Sequence, residues 1–193
     1  MTTVANPPYS EFGISEFISR VGAKGYFAKR NRYTVEITPP TSLTSAAGVE
    51  DVPPTDIEFL CSAALLPDRS MGTSSFRYGG KYAMDLPYEI PPTEATLSFT
   101  ETNDHKCRKF WYNWMEYIMS VDSYNLKYFD TFKGTIKIST FDETQDGTEQ
   151  PNHKVVLEDV YPSSIEQISL GWALAELADF QVNLKFTRWK IEI

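Results

Sequence analysis

Residues 178–193 constrain the fold more than any other stretch, because they alternate apolar and polar side chains and contain no turn residue. Phe180, Val182, Leu184 and Phe186 fall on one face, and Asp179, Gln181, Asn183, Lys185 and Thr187 on the other. That is the pattern of a strand with one dry and one wet side. Trp189, Ile191 and Ile193 then take the opposite parity. The dry face therefore continues only if one residue is absorbed near Thr187 and Arg188, as a β-bulge does. A long bulged strand of this kind suits a protein that builds closed or shared sheets, in barrels.

The chain has 193 residues, 41% hydrophobic and 14% aromatic. This is enough for one packed core and short for two. A single domain over 1–193 is expected, with 1–30 as an N-terminal arm bearing a short helix and 38–55 as a long loop insertion. The net charge of -8 and pI of about 4.8 disfavour tight nucleic-acid binding, which needs a surplus of Lys and Arg to neutralise phosphates. Cys61 and Cys107 are too few for a disulfide framework, and neither lies in a Cys-x-x-Cys pair. Both read as reduced core residues. No apolar run approaches the roughly 20 residues of a membrane span, and Met1 to Ser10 lacks the features of a secretory leader. The expectation is a soluble protein, made and kept in a cytoplasm, with no membrane insertion.

Phe12, Ile14, Phe17, Ile18 and Val21 are spaced as an amphipathic helix that Gly22 and Gly25 terminate. Tyr33, Val35 and Ile37 then mark a strand. The segment 38–55, TPPTSLTSAAGVEDVPPT, has a Pro-Pro pair near each end and reads as a loop. Ile57, Phe59 and Cys61 resume period two, predicting a strand that ends over Ala64 to Pro67. Residues 76–84 read as strands joined or bent at Gly79-Gly80, and 95–100 as a short strand carrying Leu97 and Phe99.

Over 103–120 the period changes to 3.6, with Cys107, Phe110, Trp111, Trp114 and Ile118 on one face. A helix is predicted there, capped by Asn103 or Asp104. Residues 133–141 and 154–161 read as a hairpin around the acidic turn DETQDGTEQ. Residues 164–177 fit either period, and a strand with a tight loop is the preferred reading.

Catalysis has little to stand on. His105 and His153, the only histidines, lie near a helix start and a turn and read as surface side chains. No nucleophile elbow, His-Glu-x-x-His or phosphate-binding glycine loop is present. Asp142, Glu143, Asp146 and Glu149 only partly match a calcium loop and read as solvated charges. No catalytic, cofactor or metal residue is assigned. Trp111, Trp114 and Tyr117 read as core packing rather than base stacking.

In order and spacing the chain resembles the tail tube protein of contractile-tailed bacteriophages. The matching segments are KRNRYTVEI from Lys29, ALLP from Ala64, FRYGGK from Phe76 and ATLSFTETND from Ala95. Phe110, Trp111 and Trp114, then VYP from Val160 and ADFQVNLKF from Ala178, complete the set. The resemblance implies a mainly β fold, a sandwich or barrel of two packed antiparallel sheets with one flanking α-helix. Six copies would form a ring with a shared inner β-barrel, and rings stacked head to tail would make the inner tail tube that conducts phage DNA into the host.

The partners so implied are further copies of this chain, the tail sheath, the baseplate tube and tail terminator proteins, and DNA passing without sequence-specific binding. The place implied is the virion tail, assembled in the host cytoplasm. A baseplate tube-initiator ring protein and a secretion-system tube subunit are the alternatives of the same fold. A small β-barrel enzyme or binding barrel would need a pocket of convergent polar groups, which the sequence does not display.

A barrel shared between subunits removes exposed sheet edges, and an acidic chain gives sliding phosphates few cations to grip. Leu43, Val49 and Val52, apolar residues without an element to bury them, are the expected ring-stacking contacts. The 38–55 loop is longer and more proline-bracketed than the family pattern. Arg77, Lys81, Glu94, Thr96 and Ser98 are the expected lumen lining, and Phe110, Trp111 and Trp114 the core of the helix.

Overall fold

A computed structural model describes residues 13–22, 27–44, 54–91, 94–141, 151–172 and 177–192. It contains helix α1 (Ile14–Gly22), strand β1 (Tyr33–Thr38) and short helices α2 (Thr41–Thr44) and α3 (Pro54–Phe59). Strands β2 (Cys61–Ala64), β3 (Gly72–Phe76), β4 (Met84–Glu89) and β5 (Glu94–Thr100) follow. Helices α4 (Lys106–Ile118) and α5 (Phe129–Phe132) precede β6 (Gly134–Thr140), β7 (His153–Ile165), β8 (Asp179–Lys185) and β9 (Arg188–Glu192).

Seven of the strands form two antiparallel sheets that share β7, and β3 and β4 form a separate hairpin. Its first half pairs with β6 and β9, giving the order β1-β6-β7-β9. Its second half pairs with β8, giving β7-β8-β5-β2. Alternation places the apolar side chains of each sheet in cross-strand rows. In the first sheet Ile37, Ile136, Leu157 and Trp189 form one row, and Val35, Ile138 and Val155 the next. In the second sheet Ala64, Leu97, Val182 and Ile165 form a row beside Cys61, Phe99 and Phe180. These rows and the buried face of α4 make one core.

The parity slip of the last strand has a partner. Val155 and Leu157 are buried, then Val160 and Pro162, so β7 changes phase as well. The two slips face each other: Glu158 pairs with Arg188, and Tyr161 with Lys185. No residue is gained by either strand between those pairs, so this ribbon bends as a unit at 159–160 and 186–187, where it leaves one sheet for the other. The extra residue appears instead against β6. Gly134 pairs with Val160 and Thr135 with Glu158, leaving Asp159 as the bulge at φ 57. Asp tolerates the left-handed region better than most side chains do. Its carboxylate also meets the Lys133 ammonium at 3.1 Å.

Four sequence expectations are corrected. Residues 57–59 are helical rather than extended. Pro54 is the first residue of α3, where a missing N–H costs nothing, and Asp56 lies in its first turn. The acceptor at the start of α4 is neither Asn103 nor Asp104: His105 holds the cap position at φ 50 without a side-chain bond. The Glu101 carboxylate instead accepts the Arg108 backbone N–H at 3.0 Å. Residues 166–172 form no strand, and Leu170 and Trp172 stand in solvent. Leu43, expected to be exposed, is 1% exposed within α2.

Candidate assembly surfaces

Strand order makes the two sheets chemically unequal at their edges. The outer edge of β1 is closed by α3, whose Glu58 carboxylate accepts the Ile37 backbone N–H at 2.7 Å. That contact blunts the β1 edge, while the other border of this sheet, the outer edge of β9, pairs with no strand among the described residues. Among the described residues no strand pairs with the outer edge of β2, or with the outer edge of β7 over 161–165. These two edges bound the same sheet. β2 is antiparallel to β5, β5 to β8, and β8 to the second half of β7. The two open edges therefore run in opposite directions, and β2 of one copy set beside β7 of another continues the alternation.

The wet faces differ too. Thr96, Asn183 and Ser164 form one row, in which the Thr96 hydroxyl donates to Asn183 Oδ1 at 2.9 Å and Asn183 Nδ2 donates to Ser164 Oγ at 3.0 Å. Ser98 lies beside Gln181, and Glu94 is ion-paired with Lys185. Of the expected lumen residues, Glu94, Thr96 and Ser98 thus share one face that is mostly hydroxyl and amide. The first sheet is charged: Lys137 pairs with Glu36 at 3.2 Å, Lys154 with Glu192 at 3.2 Å, and Lys190 with Glu158 at 2.9 Å. Arg188 also pairs with Glu158. Hydrogen bonds from Lys190 and Arg188 hold the Glu158 carboxyl below the usual range, and a bond to Glu158 raises Lys190.

Arg77 and Lys81 are not on that hydroxyl face. They lie in the turn between β3 and β4, beside Gly79 at φ 58, where a side chain would be strained. β3 and β4 pair only with each other, and Phe76, Tyr78, Tyr82, Met84, Leu86 and Tyr88 are exposed on them. An isolated two-stranded hairpin is marginal in water, and this one carries a large exposed apolar surface, the kind that marks a candidate interaction site. The strands expected over 76–84 are not there: 77–83 form the turn, and the strands lie on either side of it, at 72–76 and 84–89. Val49 and Val52 lie outside the described residues.

Phe110, Trp111 and Trp114 are buried. The Trp111 and Trp114 rings stack 5.6 Å apart and 5° from parallel, with Phe110 edge-on to both. Trp114 Nε1 donates to the Phe132 carbonyl at 2.9 Å, tying α4 to α5. Burial pushes the Cys61 and Cys107 thiols up to about 12, so neither forms a ready nucleophile. Among the described residues no cluster of His, Cys, Asp and Glu could hold a metal ion, and no helix is long and apolar enough to cross a membrane. The turn acids Asp142, Glu143, Asp146 and Glu149 lie outside the described residues. An open groove of about 850 Å³ between β1, β6 and β2 is lined by apolar residues such as Leu65, Leu66 and Ile138 and by polar ones that include Arg30, Asn152 and His153.

The fold has solved counterparts. A chain of the PVC sheath/tube terminator of an extracellular contractile injection system aligns at TM-score 0.60 and 17% identity, over 87% of this chain and 98% of that one. A chain of the PVC sheath-tube complex aligns at 0.59 and 17%, over 90% and 96%. The tube-terminating cap of the anti-feeding prophage aligns at 0.61 and 20%, over 86% and 91%. At such identities the likeness concerns the fold. No curated protein sequence matches the chain. The family model described as phage tail tube protein matches residues 28–192, so a chain with two open, oppositely directed sheet edges belongs to the phage tail tube protein family.

Proposed function

We propose that this chain is a structural, non-enzymatic subunit of the inner tail tube, a single tube domain of which six copies close into a ring. Rings stacked head to tail then form a conduit for phage DNA. The observation that carries the reading is the pair of unpaired edges, β2 and the second half of β7, running in opposite directions on one sheet. Joining them between neighbours makes one continuous antiparallel barrel and leaves that sheet no edge on which to aggregate.

The dimensions agree with that use. Four strands per copy give twenty-four in a ring of six. At about 4.8 Å per strand the circumference is about 115 Å and the backbone diameter about 37 Å. Side chains project about 5 Å, half a sheet-to-sheet spacing, leaving a bore of about 27 Å that strand tilt widens further. That admits a DNA double helix.

The face assigned to the bore is the hydroxyl and amide face of Thr96, Ser98, Gln181, Asn183 and Ser164, with Glu94 pairing Lys185 and Asp179 adding a further acid. Fixed cations would bind phosphates and resist sliding, and this face offers one, already paired. The charged first sheet faces outward, towards the sheath. Stacking is assigned to the 68–91 hairpin, since Leu43 is committed to the core. Partners at the tube ends are baseplate tube and tail terminator proteins.

A second reading, a single terminating or initiating ring, is favoured by the likeness to a tube-terminating cap. Negative-stain microscopy with native mass measurement tests both. Long hollow tubes with sixfold rings are expected. Isolated rings that never stack indicate the second reading, and a monomer or twofold dimer under all salt conditions refutes both.

A further inference from the structure

The stacking hairpin has no seat assigned to it, and the opposite end of the barrel sheet offers one. Both legs of the hairpin join the sheet at the end marked by Glu94 and Lys185, since Leu65 bonds to the Thr96 carbonyl and β5 begins at Glu94. The other end is marked by Thr100 and Asp179. There the Thr100 N–H donates to the Leu60 carbonyl, and α3 meets the start of α4 around a cleft of about 370 Å³. Ile57, Leu60 and Cys107 line it, Phe59 stands at its mouth 91% exposed, and Asp56 and Asp104 flank it.

The two surfaces are complementary. The hairpin turn, 77–83, carries Arg77 and Lys81 and no acid, with Tyr78 and Tyr82 fully open to solvent. Among the described residues neither cation has an ion pair. At the cleft Lys106 lies 3.6 Å from Asp104, while Asp56 has no ion pair among the described residues. An aromatic ring needs an apolar slot of this size, and its flanking cations need carboxylates at the rim. A contact between opposite ends of identical molecules is heterologous and propagates along an axis.

We infer that the β3–β4 turn of one copy seats in the α3–α4 cleft of a copy in the next ring, with Tyr78 or Tyr82 in the slot and Arg77 and Lys81 against Asp56 and Asp104. The occupant is a second copy of this chain, and the inference rests on the tube reading above.

A charge exchange tests it. Arg77→Glu with Lys81→Glu sets acid against acid, and Asp56→Lys with Asp104→Lys sets base against base. Each variant alone is expected to form sixfold rings that fail to stack, with unchanged circular dichroism. Mixed, they are expected to restore tubes, because each hairpin then meets a cleft of opposite sign. Rings of either variant that stack as well as the unaltered protein, or a mixture that stays as rings, overturn the inference. As a second measurement, Tyr78→Cys and Phe59→Cys made in separate chains are joined with a short bis-maleimide in assembled tubes. The raised pKa of both native thiols keeps them from competing. Cross-linking between the variant chains is expected, and cross-linking of Tyr78→Cys to another site overturns the seat while leaving the tube intact. Failure of the unaltered protein to form rings would instead refute the tube reading.

Discussion

Gly134→Ala is the sharpest probe of the core, because the space for one methyl is already occupied. A Cβ at Gly134 would lie 2.7 Å from the Thr38 carbonyl oxygen and 2.7 and 2.8 Å from Trp114 Cη2 and Cζ2. Neither neighbour can give way cheaply. Thr38 is the last residue of β1, paired with Thr135, and Trp114 is fully buried, stacked on Trp111 and bonded to the Phe132 carbonyl. Overpacking usually costs 1–3 kcal/mol, and two fixed neighbours place this case near about 3 kcal/mol. In a chain of this length that lowers Tm by roughly 6–12 °C.

Trp114→Phe removes the clashing ring edge and the indole hydrogen bond. The lost bond costs about 1 kcal/mol and the lost packing about as much again, so about 2 kcal/mol in all. If the clash is the cause, the double variant recovers part of the loss and falls short of additivity by about 1–2 kcal/mol. Urea unfolding followed by far-ultraviolet circular dichroism measures all four corners of the cycle. Additive losses, or a Gly134→Ala variant as stable as the parent, would refute the steric account.

Trp114→Ala should cost about 3–5 kcal/mol, since it empties the stacked ring site and strands the Phe132 carbonyl, and should drive the protein into the insoluble fraction. Soluble variant of unchanged Tm would contradict this. Acid should weaken the first sheet. Glu158 and Glu192 titrate below their ordinary value of 4.5 when folded, so the native state binds fewer protons there than the unfolded chain. Stability present above pH 4.5 is then lost as pH falls through their folded values. Glu158→Gln should flatten that slope in pH-dependent urea titrations. Ala64→Pro should leave the monomer's circular dichroism unchanged and abolish rings by native mass measurement, because Ala64 lies between Ala63, opposite Ser98, and Leu65, bonded to the Thr96 carbonyl, so its own N–H faces the open edge.

The strands whose two faces differ sharply were legible in residue order alone. β5, β6 and β8 each alternate cleanly, and their buried residues are those that the parity names. Ile57, Phe59 and Cys61 share that parity yet belong to a helix turn and a strand start, because three positions cannot separate period 2 from period 3.6. Pro54 was the discriminating signal. Leu170 and Trp172 misled in the other direction, since exposed apolar residues can carry the same pattern as core residues.

Strand order was not legible. β1 pairs with β6 across about a hundred residues, and nothing local in YTVEIT or GTIKIST names the partner. The candidate assembly surfaces depend on that order: only once β2 and the second half of β7 are known as edges is the sheet carrying Thr96 and Ser98 seen to be open on both sides. The closing of β1 by Glu58 is a single carboxylate on a short helix, which no periodicity announces.

The ribbon of β7 with β8 and β9 belongs to both sheets and keeps register through its bend. Mechanically it is a bracket. In the proposed tube, a torque applied to the first sheet by a shortening sheath would reach the barrel wall through the strands paired at Glu158–Arg188 and Tyr161–Lys185, with no flexible linker between them. Such a coupling transmits force without slack, so the inner conduit would advance and turn as a rigid shaft while the layer around it changes length, and its bore would hold constant diameter throughout the stroke.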